Sequence, residues 1–408
     1  MKRGFFLRSA FLATVLVVTL SLTAFGFKWP WESDDKGEVG ITDTEIVIGS
    51  HQDLSGPIAG WGVQTKMGLE LKVKEINDAG GIHGRKIRLV VEDNAYNPAQ
   101  AITVTNKMIN KDKVFMFIGN MGSPTAGATK PIISKKKIPQ MFPLTAASLF
   151  FEPYDRYSFG GFVPYYDQAR VLTKFFVEER GKKRVGIMYQ DDEMGGIMKK
   201  GVEDQLATYG MELVAAESYK RGATVFSTQM AKLKKVEADL VVTATVIRET
   251  VGALAEAKKL QWDVDMCGMS PAYTGYIPYL TGKAGFSADG YYAAGQSPYI
   301  YPDHENPRAR EFYKNYKKMF GKAPDLPSTA GYAAIDVFER VAKAVGRDLT
   351  REKFIDQLET WREVPDEIFD GSPFTFSPTN HQGADQATIF EIKNNKWVKV
   401  KGPLSYKK

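Results

Sequence analysis

Apolar runs alternate with helical patterns along most of the chain, and this alternation constrains the fold more than any other feature. Ile46–Ile48 and Val114–Ile118 are continuous apolar runs, as expected of strands that are covered on both faces. Gln64–Asn77 has apolar side chains at helical spacing and is followed by Gly80 and Gly81, a pair that typically ends a helix. The same order continues to about residue 290, which predicts an α/β fold of parallel strands and crossover helices.

The second half of this alternation loosely repeats the first. A helix predicted at Thr228–Val236 leads into the strand Leu240–Ala244, much as Val104–Lys111 leads into Val114–Ile118. Two α/β lobes fit 408 residues better than one very large sheet. We predict a change of lobe around Phe162–Pro164, where the alternation restarts.

The last hundred residues have a different pattern. Helices are predicted at Asn306–Phe320, Ser328–Val345 and Leu349–Glu359. Short antiparallel strands are predicted after them, with a turn at Asn394-Asn395. These strands are Phe374–Phe376, Thr388–Ile392 and Trp397–Val400.

The amino end has the pattern of an export signal. A basic start, Met1–Arg8, precedes the apolar run Ala10–Leu22, and small residues follow. We predict a signal peptide over residues 1–26 and a flexible lead-in over residues 27–43. The alternative is an uncleaved anchor, because the apolar run approaches the length of a membrane span. In either case we expect the folded part to work outside the cytoplasm.

Composition excludes several classes of protein and of site. The formal net charge is +6, and part of it comes from the basic amino end, so the remainder is too small to argue for nucleic-acid binding. Cys267 is the single cysteine and has no partner for an internal disulfide or a thiolate metal site. The four histidines lack metal-ligand spacing, and the phosphate-binding and nucleophile-elbow motifs are missing from the sequence.

Several loops at predicted strand ends point to a ligand cleft, since ligands of open α/β sheets bind beyond the carboxyl ends of strands. Asp53–Gly62 follows the first strand and offers the flat face of Trp61. Gly119–Thr125 opens a helix, whose free N–H groups and dipole suit a carboxylate, and Ser123 adds a hydroxyl. Pro143–Ala146 adds small and hydroxyl side chains. Simpler roles stay open: Ser123 as a helix cap and Trp61 as part of the core.

Several of these segments, in this order, resemble the periplasmic solute-binding proteins of the branched-chain amino acid (Leu/Ile/Val) type. The segments that carry the resemblance are Asp53–Gly62, Glu75–Ile87, Glu92–Ala101, Phe117–Ser123, Phe226–Lys234 and Phe376–Gly383. It runs from about Thr44 to the end of the chain. It implies a two-lobed clamshell, each lobe a doubly wound, mostly parallel sheet, with three crossings between the lobes.

The resemblance also implies where the lobes begin and end. We expect crossings near Phe162, Gly295 and Phe374. The lobes are then residues 44–162 with 296–374 and residues 163–295 with 375–408. It further implies a periplasmic monomer without a cofactor, which hands a small molecule to an inner-membrane ABC permease and its ATPase.

Ligand-binding residues of the first lobe are carried over by position from the family. The aromatic side chain that covers the ligand corresponds to Trp61. The serine and backbone that hold a carboxylate correspond to Ser123 with Gly122. The neighbouring strand end corresponds to Leu144, Thr145 and Ala146.

One position of the second lobe departs from the family's amino acid binders. The acid that pairs with the ligand's ammonium is replaced by Ser270 in this alignment. A buried ammonium without an acid costs several kcal/mol, by order of magnitude. Either Glu249 or Asp192 therefore takes over the pairing, or the ligand has no ammonium.

The other second-lobe positions expected to face the cleft are apolar or aromatic. They are Met194, Val246 and either Tyr165 or Tyr166. An apolar or aromatic carboxylic acid suits such walls as well as a branched-chain or other amino acid does. We expect binding without catalysis, because the sequence shows no paired nucleophile and base. The alternatives are a ligand-sensing ectodomain tethered by an uncleaved amino-terminal helix and an exported enzyme.

Overall fold

The computed structural model describes residues 37–406. The predicted signal peptide, most of the lead-in and the last two residues lie outside this range. Within it, no helix is both long enough and apolar enough to cross a membrane.

The first sheet has five parallel strands in the order β2-β1-β3-β4-β5. They are β1 Glu45–Gln52, β2 Lys86–Asp93, β3 Met116–Ile118, β4 Gln140–Met141 and β5 Ser158–Phe159. The β3 side chains are fully buried, which explains why this stretch reads as a continuous apolar run. Because all strands run in the same direction, their carboxyl ends meet along one edge.

Helices from both early and late parts of the chain pack on the first sheet or on one another, and we call the whole the first lobe. They are α1 Ala59–Asp78, α2 Pro98–Lys107, α3 Ser123–Lys135, α9 Pro307–Phe320, α10 Leu326–Val345 and α11 Arg351–Leu358. Helix α10 lies directly against α1, where a Cβ on Gly68 would stand 2.0 Å from the Ser328 carbonyl oxygen. That close approach explains the glycine.

The second sheet, with its helices, forms the second lobe and has the strand order β14-β13-β10-β9-β8-β6-β7. Strands β6 to β10 are parallel to one another, while β13 is antiparallel to both of its neighbours, β10 and β14. The strands are β6 Val185–Gln190, β7 Ala215–Tyr219, β8 Leu240–Ala244, β9 Asp265–Gly268, β10 Tyr291–Gly295, β13 Ala387–Lys393 and β14 Lys396–Leu404. The helices are α4 Tyr165–Arg180, α5 Glu193–Ala207, α6 Ser227–Lys235, α7 Ile247–Lys259 and α8 Tyr276–Lys283. The predicted turn at Asn394-Asn395 joins β13 to β14, with both φ angles positive.

The predicted lobe boundary at Phe374 is too early. Strands β11 Thr375–Ser377 and β12 Asn380–Gly383 form a separate hairpin that packs on the first lobe. Phe142 of the first lobe stacks on Phe374 at 5.2 Å and on Phe376 at 6.0 Å between ring centroids. Burial of these aromatic rings keeps the hairpin with the first sheet, so the last crossing lies between β12 and β13.

The segments that cross between the lobes are hydrogen-bonded to one another through Gln296. Its side-chain amide donates to the Gly161 carbonyl at 3.2 Å and accepts from the Val163 N–H at 3.1 Å. Its carbonyl accepts from the Ser372 N–H at 2.9 Å. This residue therefore ties the first two chain crossings to each other and to the loop that precedes β11.

Candidate functional site

A cavity of about 860 Å³, which includes open solvent at its mouth, lies between the lobes at the carboxyl ends of the strands. This size is typical of small-molecule sites. All ten residues predicted from the sequence line it: Trp61, Gly122, Ser123, Leu144, Thr145, Ala146, Tyr165, Met194, Val246 and Ser270. Their assembly in one cavity follows from parallel strands that end at the same edge.

Three hydroxyl groups meet on the first-lobe side of the cavity. Ser123 Oγ lies 2.7 Å from Thr145 Oγ1, and both side chains are buried. The Tyr165 phenol, from the start of α4, interacts with both hydroxyls and with the Ala146 backbone. Burial raises the pKa of Tyr165, and these hydrogen bonds partly oppose the rise. Hydroxyls in such a cluster are able to donate to an anionic group.

The amino end of α3 opens into the same corner of the cavity. Gly122 is the cap residue, and no side chain among the described residues caps this helix, so Ser123 does not act as the cap. The first N–H groups of the helix and its dipole thus stay available for an anion. Gly122 has φ +91°, and a Cβ there would stand 2.6 Å from Thr125 Oγ1 and 2.7 Å from Tyr96 Cε2. The tight turn therefore requires glycine.

Trp61 spans the cleft. It lies on α1 of the first lobe, and its indole Nε1–H donates to the Pro271 carbonyl of the second lobe at 3.0 Å. A second bond between the lobes joins the Gly275 N–H to the carboxylate of Asp325 at 2.9 Å. The half-buried indole is thus both a wall of the cavity and a contact between the two lobes.

The two tyrosines that open α4 have different environments. Tyr165 lines the cavity and is almost fully buried. The phenol of Tyr166 instead donates to the Asp204 carboxylate at 2.7 Å. Of the two predicted candidates, only Tyr165 is therefore placed to contact a ligand.

The second-lobe wall is mainly apolar. Met194 and Val246 stand at the first turns of α5 and α7, and both are buried. Ser270 faces the cavity, and its backbone N–H donates to Gln168 Oε1 at 2.8 Å. No acidic side chain of α5 or α7 takes part in this lining.

The two acids predicted as alternative partners for an ammonium are engaged elsewhere. Glu249 lies outside the cavity lining and pairs with Arg248 at 2.7 Å. Asp192 caps α5 and accepts from Gln190 Nε2 at 2.6 Å. Neither acid is therefore placed to pair with an ammonium of the ligand, which is one of the two alternatives that the sequence leaves open.

The acid that does face the cavity is Asp366, which the sequence did not reveal. It lies in the loop between α11 and β11, and its Oδ1 accepts N–H groups of Ile368 at 3.2 Å and Phe369 at 3.1 Å. Burial raises its pKa to about 6. Its neighbours Glu363 and Glu367 give the loop a charged, solvated pattern, so the sequence carries no local signal for the site.

No cluster of three or more His, Cys, Asp or Glu residues within 37–406 is arranged to hold a metal ion. Cys267 is fully buried in β9, and burial raises the pKa of its thiol. A buried neutral thiol is unreactive. The cavity lining offers hydroxyl groups, apolar side chains and the carboxyl group of Asp366.

Comparison with known proteins agrees with this geometry. Residues 45–396 match a family described as periplasmic binding protein. The Leu/Ile/Val-binding protein of Escherichia coli (strain K12) is 31% identical over 189 residues, which are 46% of this chain and 51% of that protein. The matched part of the chain thus spans about half the length of this relative.

Two solved structures share the fold over nearly the whole described chain. A possible leucine/isoleucine/valine-binding protein from Rhodopirellula baltica SH 1 has a TM-score of 0.80 at 18% identity, and the match covers 90% of this chain and 98% of that one. A fatty acid ABC transporter substrate-binding protein from Thermomonospora curvata has a TM-score of 0.79 at 20% identity, covering 91% and 95%. The predicted two-lobed α/β fold is confirmed. Because the family match spans residues 45–396, the chain belongs to the periplasmic binding protein family.

Proposed function

We propose that the protein is an extracytoplasmic solute-binding protein that captures a small carboxylate-bearing ligand and delivers it to an ABC importer. The ligand class includes branched-chain and other amino acids and apolar or aromatic acids. The partners are an inner-membrane permease and its ATPase, and the protein acts as a monomer in the periplasm. Export depends on the amino-terminal segment predicted to be a signal peptide.

The cluster of hydroxyls at the open amino end of α3 is the observation that carries this proposal. Ser123, Thr145 and Tyr165 converge there beside uncapped backbone N–H groups. A carboxylate accepts several hydrogen bonds and carries the charge that a helix amino end favours. The apolar walls from Met194 and Val246 suit the rest of a small organic acid.

The mechanism is capture followed by closure. The first lobe holds the carboxylate, and the second lobe then swings over it about the three crossing segments. Closure forms contacts between the lobes such as that from Trp61 to Pro271. A ligand shifts the equilibrium only by its preference for the closed form, so the ligand must contact both lobes.

A ligand panel with a matched pair of variants tests the proposal. Thermal-shift measurements with amino acids, aromatic acids, dicarboxylates and amides should find carboxylates that raise the melting temperature, because the ligand binds only the folded protein. Ser123→Ala should weaken the affinity for the best ligand by about 1.5–3 kcal/mol, the typical value of a hydrogen bond to a charged group.

The matched control is Ser227→Ala, which makes the same change at the first residue of α6, outside the cavity lining. It should leave the dissociation constant unchanged. An unaltered constant for Ser123→Ala would remove the hydroxyl cluster from the binding site. Turnover of a bound compound would replace binding by catalysis.

A further inference from the structure

Within residues 37–406, Asp366 alone contributes a carboxyl group to the cavity lining, from the segment between α11 and β11. Two backbone N–H groups, from Ile368 and Phe369, hold its Oδ1 at 3.2 and 3.1 Å. Its Oδ2 lies over Gly371, where an added Cβ would stand 2.8 Å away. The side chain is therefore fixed in position by its own loop, with one oxygen left for another donor.

No cation among the described residues pairs with this carboxyl group. The charged groups that act on it are Asp336 of α10 and Asp370 of its own loop, and both disfavour ionisation. Each of these acids has its own partner: Lys72 Nζ lies 2.8 Å from Asp336 Oδ1, and Asn306 donates to Asp370 at 2.9 Å. Of these three acids, Asp366 alone accepts hydrogen bonds only from backbone N–H groups.

An unpaired carboxylate in a partly apolar cavity carries a desolvation cost that a donor or cation on the ligand would relieve. The hydroxyl cluster at Ser123 favours an anionic group of the ligand instead, because hydroxyl groups donate hydrogen bonds to an anion. The same cavity thus has one place for an anionic group and another for a cationic one. The second place is supplied from the loop between α11 and β11, close to Ser297 in the crossing segment that follows β10.

We propose that Asp366 is a ligand-binding residue that accepts a hydrogen bond from a protonated nitrogen of a zwitterionic ligand, whose carboxylate binds at Ser123. This inference rests on the proposed function. It assigns to the loop between α11 and β11 the role that neither Glu249 nor Asp192 is placed to fill. It also separates two ligand classes: aminocarboxylates bind, and acids of the same carbon skeleton without nitrogen bind less well.

Pairs of ligands that differ by one amino group provide the test. Calorimetry should compare leucine with 4-methylpentanoate, 4-aminobutyrate with butyrate, and 5-aminopentanoate with pentanoate. These pairs vary the distance between the carboxylate and the nitrogen. In at least one pair the aminated member should bind the unaltered protein about tenfold or more tightly, as a charged hydrogen bond predicts.

Asp366→Asn keeps an oxygen for the two backbone N–H groups and removes the charge. It should abolish the advantage of the aminated ligand and leave the plain acid within about twofold. Asp366→Glu, which keeps the charge, should restore part of that advantage. Glu363→Gln, at an exposed acid of the same loop outside the cavity lining, is the matched control and should change neither ligand. Melting curves of each variant verify that the protein is folded.

The outcomes separate this inference from the proposed function. Plain acids that bind as tightly as their aminated partners, or an Asp366→Asn protein that keeps its preference, would overturn the role of Asp366 while Ser123→Ala still weakens both ligands. If neither member of any pair bound and Ser123→Ala had no effect on any ligand, both proposals would fall.

Discussion

The indole of Trp61 offers a direct way to perturb closure without removing a wall of the cavity. Trp61→Phe keeps an aromatic ring on α1 but deletes the Nε1–H that donates to the Pro271 carbonyl at 3.0 Å. In the open form water replaces this bond, so only the closed form loses it. The net value of such a hydrogen bond is about 0.5–1.5 kcal/mol, which is about a 2- to 12-fold change in the closed-to-open ratio.

If closure and binding are coupled, the affinity falls by the same factor. The loss should appear in the dissociation rate, because the bond forms after the first encounter. Stopped-flow fluorescence with calorimetry measures both quantities, and small-angle scattering reports whether the loaded protein stays compact. Trp262→Phe, outside the cavity lining, is the matched control. Unchanged dissociation and scattering for Trp61→Phe would refute the closure mechanism.

Two further substitutions test the framework of the site. Gly122→Ala should lower the free energy of unfolding by about 1–3 kcal/mol in urea titrations, since φ is +91° and the Cβ would stand 2.6 Å from Thr125 Oγ1; an equally stable variant would contradict the strained turn. Burial lowers the pKa of His51 to about 3 in the folded protein. Below about pH 6.5 the His51 side chain is protonated in the unfolded chain but still neutral in the folded one. The free energy of unfolding should therefore fall by about 1.4 kcal/mol per pH unit between about pH 6.5 and pH 3. His51→Gln should remove this contribution from the pH profile of stability, and parallel profiles for the two proteins would disprove it.

Much of the fold could be predicted because local patterns agree with tertiary structure. The run Val114–Ile118 contains β3, and the predicted turn at Asn394-Asn395 joins two strands. The predicted lobe boundary at Phe374, by contrast, places the hairpin that follows it in the wrong lobe. The hairpin packs on Phe142, which is distant in sequence. The local pattern of an amphipathic strand does not indicate which sheet will cover its apolar face.

The candidate site could likewise be predicted only in part. The ten predicted residues share the cavity because each follows a strand end or opens a helix, and such positions meet at one sheet edge. Asp366 belongs to neither class of position. It reaches the cavity through a loop that the crossing segments hold in place, so only the assembled structure brings it to Ser123's cavity.

The second sheet is built from two stretches of the chain that are far apart in sequence. Strand β13 pairs with β10, yet most of the stretch between them, including α10 and the hairpin at Phe374–Gly383, packs in the first lobe. A chain emerging from its amino end therefore presents an open β10 edge until its closing strands have been synthesised. Such an edge is prone to pair with other chains. Neither half of the molecule corresponds to a stretch of polypeptide that could be cut out and kept folded.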